Sequence, residues 1–123
     1  MAYDEHWSTS PTAGSVASLP WVERGLEAIL AEIPPEKILL GLPLYTRLWT
    51  EVEHPNGQRE VTSRALSMEA AERFLKDKGV TTTYDPATGQ NYAEVKEENT
   101  LFRIWFEDQT SIEQRLALVH KHR

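Results

Sequence analysis

Lys37-Ile38-Leu39-Leu40-Gly41-Leu42-Pro43-Leu44-Tyr45 is the stretch on which the reading of the chain turns. It is an apolar run without polar alternation, the pattern of a parallel strand covered on both faces. Upstream of it, Val22, Leu26, Ile29 and Leu30 recur at helical spacing, with Ser18 or Leu19 as the cap, Pro20 in the first turn and Pro34-Pro35 as the stop. Before that helix, Met1 to Tyr3 reads as a very short strand running into a polar loop, Ser8 to Ser15, whose Ser, Thr, Pro and Gly content suits irregular backbone. Strand, helix and buried strand form a βαβ unit, and its chemistry belongs at the strand-to-loop junctions. A lone βαβ unit buries too little to be a finished fold.

Downstream the parallel pattern ends. Leu48 to Ser63 alternates around Pro55-Asn56-Gly57, a turn that closes a hairpin. Ser67 caps a helix over Met68 to Lys78, with Ala71, Phe74 and Leu75 on one face and Gly79 at its end. Three strands follow near Thr81 to Tyr84, Gln90 to Val95 and Leu101 to Phe106, separated by Asp85-Pro86-Ala87-Thr88-Gly89 and Glu97-Glu98-Asn99. A last helix begins near Thr110, whose spacing to Glu113 fits a capping box, with Ile112, Leu116 and Val119 facing inward. The expected class is α+β: a βαβ segment over residues 1–47, an antiparallel α+β unit over 48–108 and a returning helix over 109–123.

Composition narrows the functions. The chain of 123 residues is 40% hydrophobic and 26% charged, ordinary for a globular domain. A net charge of -6 without any Lys/Arg block argues against a nucleic-acid surface. No apolar run approaches the ~20 residues of a membrane span, and the start has no basic flank or apolar signal core. Cysteine is absent, so disulfides, thiolate metal sites and Cys nucleophiles are excluded together. His6, His54, His120 and His122 show no metal-ligand spacing, so neither metal nor cofactor is expected.

Met1-Ala2-Tyr3-Asp4 is similar to the M-x-Y-D segment of family 18 glycoside hydrolases, and Gly41-Leu42-Pro43-Leu44-Tyr45-Thr46-Arg47 to their G-[IVL]-P-x-Y-x-R segment. Trp105-Phe106-Glu107-Asp108 followed by Ser111-Ile112 resembles a third segment of that family. The order of the three and the single helix between the first two make the combination specific, and the resemblance covers nearly the whole chain. It points to the bacterial branch acting on cell walls, spore cortex or chitin-like polymers. It implies a TIM barrel parent, with this chain running from the sixth strand to the seventh helix and carrying the small domain inserted after the seventh strand. Substrate then binds at the C-terminal strand ends, where Tyr3, Asp4, Tyr45 and Arg47 fall.

The resemblance further implies retaining hydrolysis of β-1,4 bonds beside N-acetylglucosamine, in chitin or peptidoglycan, by substrate assistance. A glutamic acid protonates the leaving oxygen while the sugar's own acetamido carbonyl attacks the anomeric carbon. That acid ends a D-x-x-D-x-D-x-E segment on the family's fourth strand, which nothing in this chain matches. The chain alone is therefore expected to be inactive, its catalytic acid lying upstream, and the parent to be extracellular or associated with wall or spore. A lectin-like relative without the acid, or a structural module, would carry the same groove residues.

Tyr3 offers a phenolic hydrogen to the acetamido oxygen, or is an aromatic packed at a strand end. Asp4 can bond sugar hydroxyls or cap the loop beyond the strand. Arg47 supplies several fixed donors for sugar oxygens, or forms a surface ion pair. Trp7 and Trp49, just beyond strand ends, are expected as stacking platforms, whereas Trp21 and Trp105 are expected to pack. Asp108 is read as an N-terminal cap for the last helix, though Glu107-Asp108 could also reach the cleft. The apolar βαβ face and unpaired strand edges are expected to make the isolated chain self-associate.

Overall fold

The computed structural model describes residues 1–122. Its centre is a five-stranded antiparallel sheet of β1 (Tyr45–Glu53), β2 (Arg59–Ser67), β3 (Thr83–Asp85), β4 (Gln90–Glu97) and β5 (Thr100–Phe106), in the order β2-β1-β5-β4-β3. Three helices accompany it: α1 (Leu19–Leu30), α2 (Met68–Lys78) and α3 (Gln109–Lys121). The class is α+β, as read from the sequence.

The β1–β2 hairpin turns at Pro55-Asn56-Gly57, where Gly57 takes φ 84 and Asn56 Oδ1 accepts from the Gln58 amide at 3.0 Å. The register pairs Trp49 with Ser63 in β2 and with Arg103 in β5. Helix α2 begins where Ser67 Oγ accepts from the Ala70 amide at 3.1 Å and ends at Gly79 with φ 65. A left-handed C-cap of this kind favours glycine because no Cβ meets the preceding carbonyl. Ala71 and Leu75 of α2 cover one sheet face, packing on Leu48, Ala93, Ile104 and Phe106. Truncating Leu48 to Ala in such a core costs about 2–5 kcal/mol.

A second cluster joins α1 to α3 through Val22, Leu26, Ala17 and Leu118, with Trp21 partly buried against it. Trp105 is buried in β5, so both indoles expected to pack do so. Of the two caps read from the sequence for α3, Asp108 and Thr110, Asp108 is the N-cap: its Oδ1 accepts from the Ser111 amide at 2.9 Å, and Ser111 Oγ accepts from the Asp108 amide at 2.8 Å. Starting the helix there turns Ser111, Arg115 and Leu118 inward and leaves Leu116 and Val119 exposed. The polar residues at two of the inward positions hid this face from a hydrophobicity count.

The expected parallel strand pair is not formed as strands. Residues 1–3 and 38–44 form no strands and are joined by one bond from the Ala2 amide to the Gly41 carbonyl at 2.8 Å. Leu39 is 95% exposed and Leu44 78%, where burial on both faces was expected. Two parallel segments without further neighbours make too few ladder bonds to register as a sheet, and Pro43 has no N–H to donate. Regular pairing begins at Tyr45, so the expected division after residue 47 falls inside β1, which continues to Glu53.

Candidate functional site

Tyr45 and Asp4 meet at the start of β1, where the Tyr45 hydroxyl donates to Asp4 Oδ1. Asp4 reaches it from a left-handed backbone, φ 65, a conformation that Asp tolerates better than most residues. The Tyr3 ring stands edge-on to that of Tyr45, centroids 6.1 Å apart and planes at 85°. Its hydroxyl donates only to the soft Met1 Sδ at 2.8 Å, a weak acceptor that a better one can displace. Burial, followed by the bond and charge of Asp4, pushes the Tyr45 phenol up to about 12. At neutral pH Tyr45 is therefore the neutral phenol, donating to Asp4 as its oriented acceptor.

Directly after Asp4 the chain is stapled to the start of α1. The Glu5 amide donates to the Val16 carbonyl at 2.8 Å, and the Glu5 carboxylate accepts from the Ser18 amide at 2.7 Å and the Ser18 hydroxyl at 3.0 Å. His6 Nδ1 donates to the Ser15 carbonyl at 2.7 Å, which fixes the ring's orientation. The ring lies flat on Gly14: a Cβ there would come within 2.3 Å of it. Glu5 and His6 carried no motif signal, because a staple depends on a partner nine or more residues away.

The closed loop displays Trp7, 51% exposed. Its indole Nε1 donates to Thr9 Oγ1 at 3.1 Å, and its backbone amide to the buried Ser10 Oγ at 2.8 Å. The polar edge is thus satisfied locally and the ring is free to be an exposed, oriented surface. Trp49 is placed otherwise than expected. It sits in the middle of β1, not beyond a strand end, and is 1% exposed beneath His6, with centroids 6.5 Å apart at 86°. An indole so covered stacks on protein.

Arg47, between Tyr45 and Trp49 on the same strand face, donates through Nη1 to Ser63 Oγ at 3.3 Å; Ser63 Oγ donates to the Ser8 carbonyl at 3.3 Å. Arg47 Nε is buried with no acceptor among the described residues. The structure therefore brings Tyr3, Asp4 and Tyr45 into one cluster, with Arg47 next along β1 and Trp7 on the adjoining loop, and takes Trp49 out of reach.

Glu107 does not join them. It is buried with Arg115 at 2.7 Å, accepts from Gln90 Nε2 at 2.5 Å and from Ser111 Oγ at 2.5 Å, and Arg115 Nη2 donates to the Ala17 carbonyl at 2.5 Å. Ser15 Oγ donates to Gln90 Oε1, so the network ties the loop, β4 and α3 together. Its members face one another, the arrangement of a structural ion pair. Among the described residues one group of metal-ligand type, Glu23, Glu27 and His122, comes within 4.8 Å, but Lys121 Nζ already sits 2.8 Å from Glu23 Oε1. No described helix is long and apolar enough to cross a membrane.

The family model described as glycosyl hydrolases family 18 matches residues 1–123. The cortical fragment-lytic enzyme of Bacillus cereus is 27% identical over 120 residues, covering 97% of this chain and 27% of that protein. The crystal structure of the spore cortex-lytic enzyme SleL of Bacillus megaterium superposes with a TM-score of 0.79 at 27% identity, covering 98% of this chain and 27% of the other. A mutant class V chitinase from Nicotiana tobaccum, solved in complex with NAG4, shares the fold at 18% identity and a TM-score of 0.68, covering 98% of this chain and 39% of the other. The chain thus spans about a quarter to two fifths of the length of these relatives.

Proposed function

We propose, for a chain that belongs to glycosyl hydrolase family 18, that it is the substrate-gripping part of a larger hydrolase of N-acetylglucosamine polymers. In this reading residues 1–47 are the sixth strand, sixth helix and seventh strand of a (β/α)8 barrel, residues 48–108 the inserted unit, and residues 109–123 the returning helix. The apolar groove of about 390 Å³ between α1 and residues 38–40, lined by Trp21, Leu26, Ile29 and Leu39, is then a surface that neighbouring barrel elements cover. In the isolated chain the same surface drives self-association.

The observation that carries the proposal is the Tyr3–Asp4–Tyr45 cluster with Arg47 beside it, four residues from two family segments brought to one point. The bond from the Tyr45 hydroxyl aims the Asp4 side chain, so it can orient a sugar N–H or hydroxyl. The Tyr3 phenol, released from Met1, donates to an acetamido carbonyl and fixes it for attack on the anomeric carbon. Arg47 grips sugar oxygens through its unused guanidinium hydrogens, and Trp7 gives an apolar face for a pyranose ring. The family membership implies a general acid from outside this chain and a substrate-assisted, retaining mechanism that uses no metal or cofactor. Relatives described as cortex-lytic favour a spore or wall substrate and a location there.

The test is the full-length protein, assayed on N-acetylglucosamine oligomers and on spore-cortex peptidoglycan, with and without Asp4→Ala. Hydrolysis lost in the variant supports the reading. A full-length protein that binds these sugars without cleaving them makes it a lectin-like relative, and one that does neither removes the proposal.

A further inference from the structure

Of the residues proposed to meet sugar, Asp4 alone stands at positive φ, 65, a region that the Cβ of an L residue disfavours. Its side chain is exposed, and the hydrogen bond from the Tyr45 hydroxyl is a thin hold on such a conformation. The chain on either side supplies the rest. Two residues upstream the Ala2 amide donates to the Gly41 carbonyl at 2.8 Å. One residue downstream Glu5 is fixed by three bonds: its amide to the Val16 carbonyl at 2.8 Å, and its carboxylate from the Ser18 amide at 2.7 Å and the Ser18 hydroxyl at 3.0 Å. Between these anchors the chain has to turn at Asp4, and the left-handed backbone is how it does so.

The segment to which Glu5 is tied is itself immobilised. Residues 15–18 are buried, and three different elements hold them. Ser15 Oγ donates to Gln90 of β4, the Ala17 carbonyl accepts from Arg115 of α3, and the Leu19 amide donates to the Thr88 carbonyl at 2.7 Å. Ser18 is the N-cap of α1 by position, yet its hydroxyl makes no capping bond to that helix among the described residues. Pro20 in the first turn has removed one of the amides that such a cap would serve. The hydroxyl is spent on Glu5 instead. A path of hydrogen bonds therefore runs from the buried core through Ser18 and Glu5 to the one residue whose backbone sets the direction of the Asp4 side chain.

We infer that Glu5 is a positioning residue for Asp4: by pinning the chain to Ser18 it holds Asp4 at positive φ and keeps its carboxyl group on the Tyr45 hydroxyl. Without that pin Asp4 relaxes toward negative φ, and its side chain turns away from Tyr45. Glu5 itself touches no sugar. Its effect on catalysis rests on the sugar-binding reading of Asp4 given above, whereas its effect on the Asp4–Tyr45 bond does not.

Two measurements on the full-length protein test this. The first needs no activity: urea midpoints of wild type, Tyr45→Phe, Glu5→Ala and the double variant. Tyr45→Phe should lower the midpoint much less in the Glu5→Ala background than in wild type, because the bond it removes is already gone. An equal fall in both backgrounds would make Glu5 a loop staple only and overturn the inference.

The second is kinetics on N-acetylglucosamine hexamer. Glu5→Ala should lower kcat/KM roughly tenfold or more, within the ~10²-fold that a misplacement of about 1 Å can cost. It should have little further effect once Asp4→Ala is present, since a residue acting through Asp4 then has nothing left to position. Glu5→Gln should keep most of the wild-type rate: its oxygen accepts from the Ser18 amide, and its amide donates to a Ser18 hydroxyl turned the other way. Should Glu5→Ala fail to fold, Ser18→Ala, which removes the hydroxyl and leaves the amide bond, takes its place in both measurements with smaller effects of the same sign. Losses that multiply undiminished in the Asp4→Ala background would overturn the inference. Wild-type kinetics in Asp4→Ala alongside an intact coupling of Glu5 to Tyr45 removes the sugar-binding reading and leaves Glu5 as the holder of Asp4, a different failure.

Discussion

The hydroxyl of Tyr45 donates to the carboxylate of Asp4 across forty-one positions of sequence, and that bond joins the entry of the sheet to the one residue near it held at positive φ. The pairing has a pH signature. Tyr45 is raised to about 12, by burial first and by Asp4 second, so the folded chain favours the neutral phenol. Its contribution to stability is complete below the unfolded phenol's value of about 10 and is lost as pH climbs through the folded value.

Urea midpoints measured across the alkaline range should accordingly fall for the wild type from about pH 10 upward. Tyr45→Phe should start lower and fall less, closing the gap at the alkaline end. Tyr92 is shifted upward too, again by burial first, and remains in both proteins, so the difference between them isolates Tyr45. A gap that stays constant with pH would show that folding does not raise the Tyr45 phenol.

Glu107 and Arg115, with side chains 5% and 1% exposed, form a pair whose single members cannot be removed cheaply. Arg115→Met should destabilise the chain by about 3–5 kcal/mol, since the Glu107 carboxylate is left buried and unpaired. Adding Glu107→Leu should recover a large part of that loss. The reading is a denaturant titration of the three proteins, and equal destabilisation in the single and double variants would contradict it.

Two ends of α2 give smaller, independent effects. Ser67→Ala removes the cap bond to the Ala70 amide and should cost about 1 kcal/mol. Gly79→Ala forces a side chain onto φ 65 and should cost about as much. The sites are well separated along the helix, so the double variant should show the sum within about 0.5 kcal/mol.

In the full-length protein the two residues proposed to grip sugar should separate kinetically. Tyr3→Phe removes the donor proposed to orient the attacking carbonyl and should lower turnover by ~10²–10³ with little change in binding. Arg47→Ala should chiefly weaken binding of the oligomer. Wild-type kinetics in both would return Tyr3 to the role of a packed aromatic and Arg47 to that of a surface charge.

The 123-residue chain alone should show no turnover on amino-sugar polymers, because nothing in it matches the segment that carries the family's acid. Measurable hydrolysis that disappears in Glu107→Gln would overturn this, and would also require that buried carboxylate to leave Arg115.

What could be read in advance divides along a physical line. Helix α2 was legible to its end residues because a cap, an apolar stripe and a glycine all act within one helical length. The hairpin at Asn56-Gly57 was legible for the same local reason. The apolar stretch Ile38 to Leu44 was misread because its strand character depends on neighbours, and burial that neighbours would supply is missing at Leu39 and Leu44. Helix α3 hid its inner face because Ser111 and Arg115 are polar, and only their partners Glu107, Asp108 and Ala17 make those positions inward. At the site, Tyr3, Asp4, Tyr45 and Arg47 were visible as family segments. Trp49 was misplaced because the length of β1, and hence the cover over its middle, follows from its pairing with β2 and β5 rather than from its own residues.

The uninterrupted course of β1 from Tyr45 to Glu53 carries a mechanical consequence. The residue bonded to Asp4 and the centre of the sheet belong to a single rigid rod with no hinge between them. A push on the far hairpin at Asn56-Gly57 arrives at Tyr45 as a tilt, so strain introduced there, for example by stiffening the turn, should be felt as a change in grip at the opposite end.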